Sequence, residues 1–222
     1  MNHITANSVI CHNSVYKDGK ALFGNKGADP AGFLLSVYQH FDWQYPKFFK
    51  MDNLSKLGWL AAEILLKDVP SARAYLPWEM GVVLSNANSS LDTDRKYLAS
   101  VKEIPSPSLF VYTLPNIMIG EICIRNNFKG ENAFFLSDSF DTDFIVRYVS
   151  FLMDTDACQA CICGWVELLG EEYGAQLFLI EKRAGEAPAW TASAPPAPLA
   201  FTGENIGRII SEGHVKTKIP EK

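Results

Sequence analysis

GENAFFLSDSFDTDFIVRYVSFLM, running from Gly130 to Met153, is the stretch whose reading decides the fold. Its short apolar run, Ala133–Leu136, predicts a strand. Ser137-Asp138-Ser139-Phe140-Asp141 follows, a tight turn rich in side chains that cap helices. Thr142–Met153 then reads as a helix. A strand, a turn and a helix in this order form the unit of a layered α/β domain.

Working outward, the same alternation continues in both directions. Upstream, Ile4–Val15 reads as a first strand, and Gly24–Phe49 as a long irregular connection rich in Gly, Asp and aromatic residues. Asp52–Lys67 predicts a helix, because Leu54, Leu57, Leu60, Ala61, Ile64 and Leu65 recur at helical spacing. Met80–Leu84 is a buried strand within Glu79–Ala87, and Asp92–Val101 a short helix. Ser108–Asn127 reads as a long buried helix, with Pro115 either kinking it or marking its true start. Downstream, Ala160–Leu168 and Gln176–Glu181 predict a hairpin across a loop carrying Gly170 and Gly174.

After Arg183 the composition changes. Gly185–Pro198 is rich in Pro and Ala and cannot build a core, so residues 184–222 are expected to form a linker and tail. Within that tail, Glu204–Ser211 is a candidate short helix. The expected fold is α/β, with a five-stranded mixed sheet, mostly parallel, and helices on both faces.

Composition narrows the function classes. Of the 222 residues, 48% are hydrophobic and 20% charged, which is globular and not disordered. A net charge of -5 without a Lys/Arg run argues against nucleic acid as a partner. Apolar stretches such as Ile117–Ile124 fall well short of the roughly 18 residues that span a bilayer. The N-terminus has no basic start followed by an apolar core, so we read it as the beginning of the fold and expect a cytoplasmic protein. The five cysteines, an odd number, argue for free thiols.

Several segments together resemble the β-ketoacyl synthases, the condensing enzymes of fatty-acid and polyketide synthesis. Tyr45–Gly58 resembles the segment leading into the family's first helix, and Val82–Asn86 its second strand. Ser106–Gly120, with Pro107 and the Pro115-Asn116 pair, resembles the helix that follows. Gly130 matches the glycine that begins the strand leading to the nucleophile. Nine residues on, where the family places its cysteine, stands Ser139; twenty-five further, at the family's paired glycines, stand Gly164 and Trp165. The resemblance covers about residues 1–183. It implies the N-terminal half of a thiolase-like fold, with residues 1–183 as the ketosynthase-like domain.

What the resemblance implies about chemistry is mostly loss. The nucleophile position is Ser139, and the family's C-terminal half, which supplies two catalytic histidines, has no counterpart. None of His3, His12, His40 and His214 sits in a segment like the family's histidine motifs. A serine hydroxyl needs a base within reach to attack. Asp138 and Asp141 read as capping carboxylates. Cys158, Cys161 and Cys163 read as core cysteines, since no second pair completes a metal site. Asp92 and Asp94 read as helix-start carboxylates, not a calcium loop. Phe41, Trp43, Tyr45, Phe48 and Phe49 read as satellite core packing. We therefore expect a catalytically silent, chain-length-factor-like partner, without metal or cofactor. Its expected association is a homodimer, or a heterodimer with a full-length ketosynthase, with acyl carrier protein as a further partner. Two alternatives stand beside it: a module that binds an acyl group or acyl carrier protein, and a hydrolase or acyltransferase that uses Ser139.

Overall fold

The structure is a computed structural model, and it describes residues 2–70, 72, 74–182 and 199–215. The expected linker, Gly185–Pro198, lies outside the described residues.

The chain opens with a meander: β1 (Asn2–Cys11), β2 (Ser14–Lys17) and β3 (Lys20–Gly24). Then come α1 (Pro30–His40), a 3-10 turn at Pro46–Lys50, and α2 (Asn53–Leu66). The centre is β4 (Met80–Asn86), α3 (Leu91–Val101), α4 (Pro107–Val111), α5 (Asn116–Asn126), β5 (Asn132–Leu136) and α6 (Thr142–Asp154). A long hairpin follows, β6 (Ala160–Leu169) and β7 (Glu172–Lys182), and the described chain ends with β8 (Leu199–Ala200) and α7 (Gly203–Val215).

The strands form one sheet in the order β3-β2-β1-β7-β6-β4-β5, with β8 beside β1. It has eight strands where the sequence reading has five. All three additions come from the terminal segments. The segment read as one strand, Ile4–Val15, folds back at His12 and Asn13, both left-handed at φ 47° and 54°. Asp18-Gly19, also left-handed, closes a second hairpin; Asp-Gly is the dipeptide such tight turns prefer. Strand β8 pairs with His3 and Ile4, the end of β1 that β2 leaves free. Parallel pairing is confined to β4, which lies between β5 and β6. The other pairings are antiparallel because short turns join most of those strands, and a parallel pair needs a crossover.

Alternation along the central strands sends side chains to two cores. Met80, Val82 and Leu84 of β4 and Ala160 and Ile162 of β6 face one layer. Val83, Cys161, Cys163, Phe178 and Ile180 face the other. Helices α1, α2 and α5 cover the first face, and α6 and α7 the second. Helix α2 is apolar nearly all round and lies buried, its first turn held by Asp52, whose Oδ1 accepts from the Ser55 N–H at 2.9 Å. Phe41, Trp43, Tyr45 and Phe48 pack on the core, Tyr45 stacking on Trp59 at 5.3 Å and Trp43 meeting it edge-on at 5.6 Å, whereas Phe49, expected with them, is exposed.

Two other expectations change in detail. The connection Gly24–Phe49 contains a full helix, α1, whose start carries both standard signals, Asp29 as cap and Pro30 in the first turn. Ser108–Asn127 is two helices, and Pro115 marks the start of the second. The buried face is on α5, at Met118, Ile119 and Ile122, whereas Phe110, Val111 and Leu114 are exposed. The C-terminal helix expected near Glu204–Ser211 is α7. It packs on α6, and the Phe201 N–H donates to the Asn2 carbonyl at 3.0 Å, so this segment belongs to the same body.

Gly164 tests the central packing. Its φ is +155°, and a Cβ there would collide with the Gln176 carbonyl of β7. Gly164→Ala should lower the unfolding free energy by about 3 kcal/mol in urea titration. Gly120→Ala is the control: open space surrounds that α5 position, and the change should be neutral or raise stability by up to ~1 kcal/mol.

Candidate functional site

The parallel strands β4 and β5 end side by side, and in open α/β sheets this carboxyl end is where ligand sites form. The turn after β5 stays tied to β4, since the Ser137 N–H donates to the Asn86 carbonyl at 3.1 Å. The Ser137 hydroxyl then donates to the Ser139 carbonyl at 2.8 Å and closes the turn. Phe140 anchors it from the next position, packing against Trp165 at 6.0 Å and Phe178 at 6.4 Å. Asp141 caps α6, accepting from the Phe144 N–H at 2.8 Å. The capping carboxylate is thus Asp141, while Asp138 is exposed.

Ser139 lies between these fixed points. It stands two residues before the cap, so its hydroxyl precedes the helix and does not sit on its first turn. The residue is exposed, and among the described residues its hydroxyl makes no hydrogen bond. Three of the histidines, His3, His12 and His40, stand away from it. His3 lies at the opposite end of the sheet, where β1 runs beside Glu181. His12 is at the correct end, but β4, β6 and β7 separate its strand from β5. Four strand spacings amount to roughly 19 Å. His40 stacks on Phe23 and Phe41 in the outer layer.

Beneath the turn is a cavity of about 190 Å³ lined by Ser85, Phe135, Leu136, Ser137, Asp141, Phe144 and Ile145. Ser139 does not line it. Ser85 is buried and donates to the Gly164 carbonyl at 3.3 Å, which ties the cavity floor to the glycine that the sequence spacing singled out. The available chemistry is two hydroxyls and a carboxylate already used as a cap, around an apolar wall. That set can hold a small apolar group, but it contains no base and orienting partner for a nucleophile. Ser85 was missed in the sequence, although a lone hydroxyl inside the run Met80–Asn86 was a readable signal.

The remaining candidates settle into structural places. Asp92 and Asp94 lie in the first turn of α3, and Asp94 accepts from the Ser90 hydroxyl at 3.2 Å. Asp92 pairs with Lys96 at 2.6 Å and accepts from the Gly170 N–H at 3.1 Å. Cys158, Cys161 and Cys163 are buried under α6. Among the described residues, no group of three or more His, Cys, Asp or Glu side chains is arranged to hold a metal ion, and no helix is long and apolar enough to cross a membrane.

No protein-family model matches this sequence, and no curated protein matches it. Solved structures do match. The ishigamide ketosynthase/chain length factor superposes with a TM-score of 0.62 at 18% identity, covering 89% of this chain and 65% of that one. A type II polyketide-synthase acyl-carrier protein in complex with its ketosynthase, bound to the hexaketide, gives 0.58 at 16%, covering 82% and 62%. A ketosynthase in complex with its chain length factor, from Xenorhabdus doucetiae, gives 0.55 at 14%, covering 83% and 80%. The chain spans less than two thirds of the first two of these. At such identities the likeness is one of fold, and the fold is the thiolase-like α/β fold of the ketosynthase and chain length factor structures.

Proposed function

We propose that this chain is a ketosynthase-like subunit that does not itself condense acyl chains and pairs with a ketosynthase, as a chain length factor does. The pathway class is fatty-acid or polyketide synthesis, aryl-polyene-type synthesis being one case of it. The observation that carries this reading is the candidate elbow. Its serine, Ser139, is exposed, stands away from His3, His12 and His40, and does not line the cavity of about 190 Å³ beneath the turn. In this reading residues 1–183 carry the ketosynthase-like resemblance, and β8 and α7 complete the same body.

A free strand edge supports the pairing. Strand β5 pairs with β4 on one side only among the described residues, and it carries Phe134, Phe135 and an exposed Leu136. No Lys or Pro interrupts it. An unguarded apolar edge is a template for pairing with another chain, and natural proteins usually cover it. A ketosynthase presenting the same kind of edge is the occupant this reading requires.

The acyl-binding alternative has one observation in its favour, the apolar wall of the small cavity. Its volume of about 190 Å³ is below the ~300 Å³ at which ordinary ligand pockets begin, so a long chain does not fit.

Three measurements test the proposal. A serine-directed fluorophosphonate should leave the folded chain unlabelled, and Ser139→Cys should not confer condensing activity on the isolated chain. Labelling that Ser139→Ala removes would hand the reading to the hydrolase or acyltransferase alternative. Light scattering coupled to size exclusion should show a dimer that exchanges into a mixed complex with the ketosynthase from the same source. A homodimer indifferent to that ketosynthase, or a monodisperse monomer at micromolar concentration, counts against the silent partner.

A further inference from the structure

Cys158 and Cys161 meet behind β4. Cys161 lies on β6 directly across from Gly81 of β4, and a Cβ at Gly81 would stand 3.4 Å from both sulfurs. The missing side chain of Gly81 therefore leaves the hollow that the two thiols share. The Cys161 thiol donates to the Ile162 carbonyl at 3.5 Å, and its sulfur shares this hollow with that of Cys158. Cys163 lies on the same face of β6 but interacts with Cys158 only at longer range. Cys11 and Cys123 pack in other regions, Cys11 with Val9 and Tyr16 and Cys123 against the opposite core.

The two thiols are unequal. The neighbouring Cys161 thiol holds the Cys158 thiol below its usual range, helped by the Lys182 ammonium and opposed by burial and the Glu131 carboxylate. The same contact, with complete burial, pushes the Cys161 thiol well up. Their settings differ as well. Cys161 is locked in a central strand, whereas Cys158 sits in the short connection after α6, beneath the exposed Thr155 and Asp156. Connections of this kind open locally far more often than the core does.

We propose that Cys158 and Cys161 form a redox-active dithiol that closes to an internal disulfide when oxidised by a hydroperoxide. The Cys158 thiolate attacks one peroxide oxygen. The O–O bond breaks, water or an alcohol leaves, and Cys158 becomes a sulfenic acid. The Cys161 thiol then attacks the Cys158 sulfur, the S–S bond forms, and a second water leaves with the thiol proton. Two thiols are oxidised and one peroxide is reduced. Two molecules of a small thiol such as glutathione reverse the step by successive exchange, through a mixed disulfide, and leave as their own disulfide. This proposal rests on the sulfur geometry alone and does not depend on the ketosynthase-like reading.

The test uses the full chain. The folded protein is treated with a small excess of hydrogen peroxide, denatured in N-ethylmaleimide, digested and mapped by tandem mass spectrometry. The fragment holding all three cysteines should lose two hydrogens and carry one maleimide, on Cys163. Cys163→Ala should keep the disulfide, and Cys158→Ala should abolish it and leave Cys161 alkylated. If Cys158→Ala folds poorly, phenylarsine oxide, which bridges neighbouring thiols, gives an independent reading on the unaltered protein: it should protect Cys158 and Cys161 together from maleimide. Three maleimides on the peroxide-treated fragment, a disulfide involving Cys163, or sulfinic acid at Cys158 without a disulfide would each overturn the proposal.

Discussion

Strands β4, β6 and β7 carry apolar side chains on both faces, and everything else in the fold answers that constraint. A sheet with two apolar faces must be covered twice. Each Leu, Ile or Phe taken fully from water contributes about 1.5–3 kcal/mol, and here such residues alternate to opposite sides of one strand, as Leu177, Phe178 and Leu179 do. Helix α2 meets the demand on one side by being apolar almost all round, so it is itself sandwiched between the sheet and the helices α1 and α5. On the other side α6 needs α7 beside it, which is why the C-terminal segment returns to the sheet.

Close backbone approach follows from the same packing. Gly164 allows β7 to lie against β6, and Gly130 comes so near the carbonyls of Trp78 and Met80 that a Cβ would overlap them. Packing leaves some buried polar atoms without a hydrogen-bond partner among the described residues, Trp59 Nε1 and the Tyr45 hydroxyl among them, but a buried carboxylate is paired. Glu121 of α5 is almost fully buried; the Tyr112 hydroxyl donates to its Oε1 at 3.1 Å and the Lys47 ammonium lies 2.8 Å from its Oε2. Removing one partner of such a pair leaves a stranded charge, which costs more than the pair is worth. This pair ties the aromatic connection before α2 to the helix that packs on α2.

The candidate elbow shows how far spacing along a chain can reach. A glycine, a strand, a turn and a second glycine at fixed separations located the turn between β5 and α6 and the floor beneath it. Spacing alone did not say which side chains would face the cavity. Ser137 and Asp141 line it while Ser139 stays outside, because Phe140 is pulled toward Trp165 and Phe178 and rotates its neighbour outward. That pull comes from β6 and β7, more than twenty residues downstream, and leaves no local mark on the turn.

The sequence by itself determined the elements whose signals are local. The capped helices, the buried run Met80–Asn86, the break at Pro115 and the β6–β7 hairpin follow from periodicity, turn chemistry and the geometry of proline. Tertiary structure alone decided what depends on distant partners. It made the N-terminal meander into three sheet strands, confined parallel pairing to β4, drew β8 and α7 onto the sheet, and brought two cysteine sulfurs into the hollow at Gly81. Each of these outcomes is a contact between segments far apart in the chain. Its free energy comes from burial and from pairing backbone groups across strands, and neither is encoded in the residues of one partner alone.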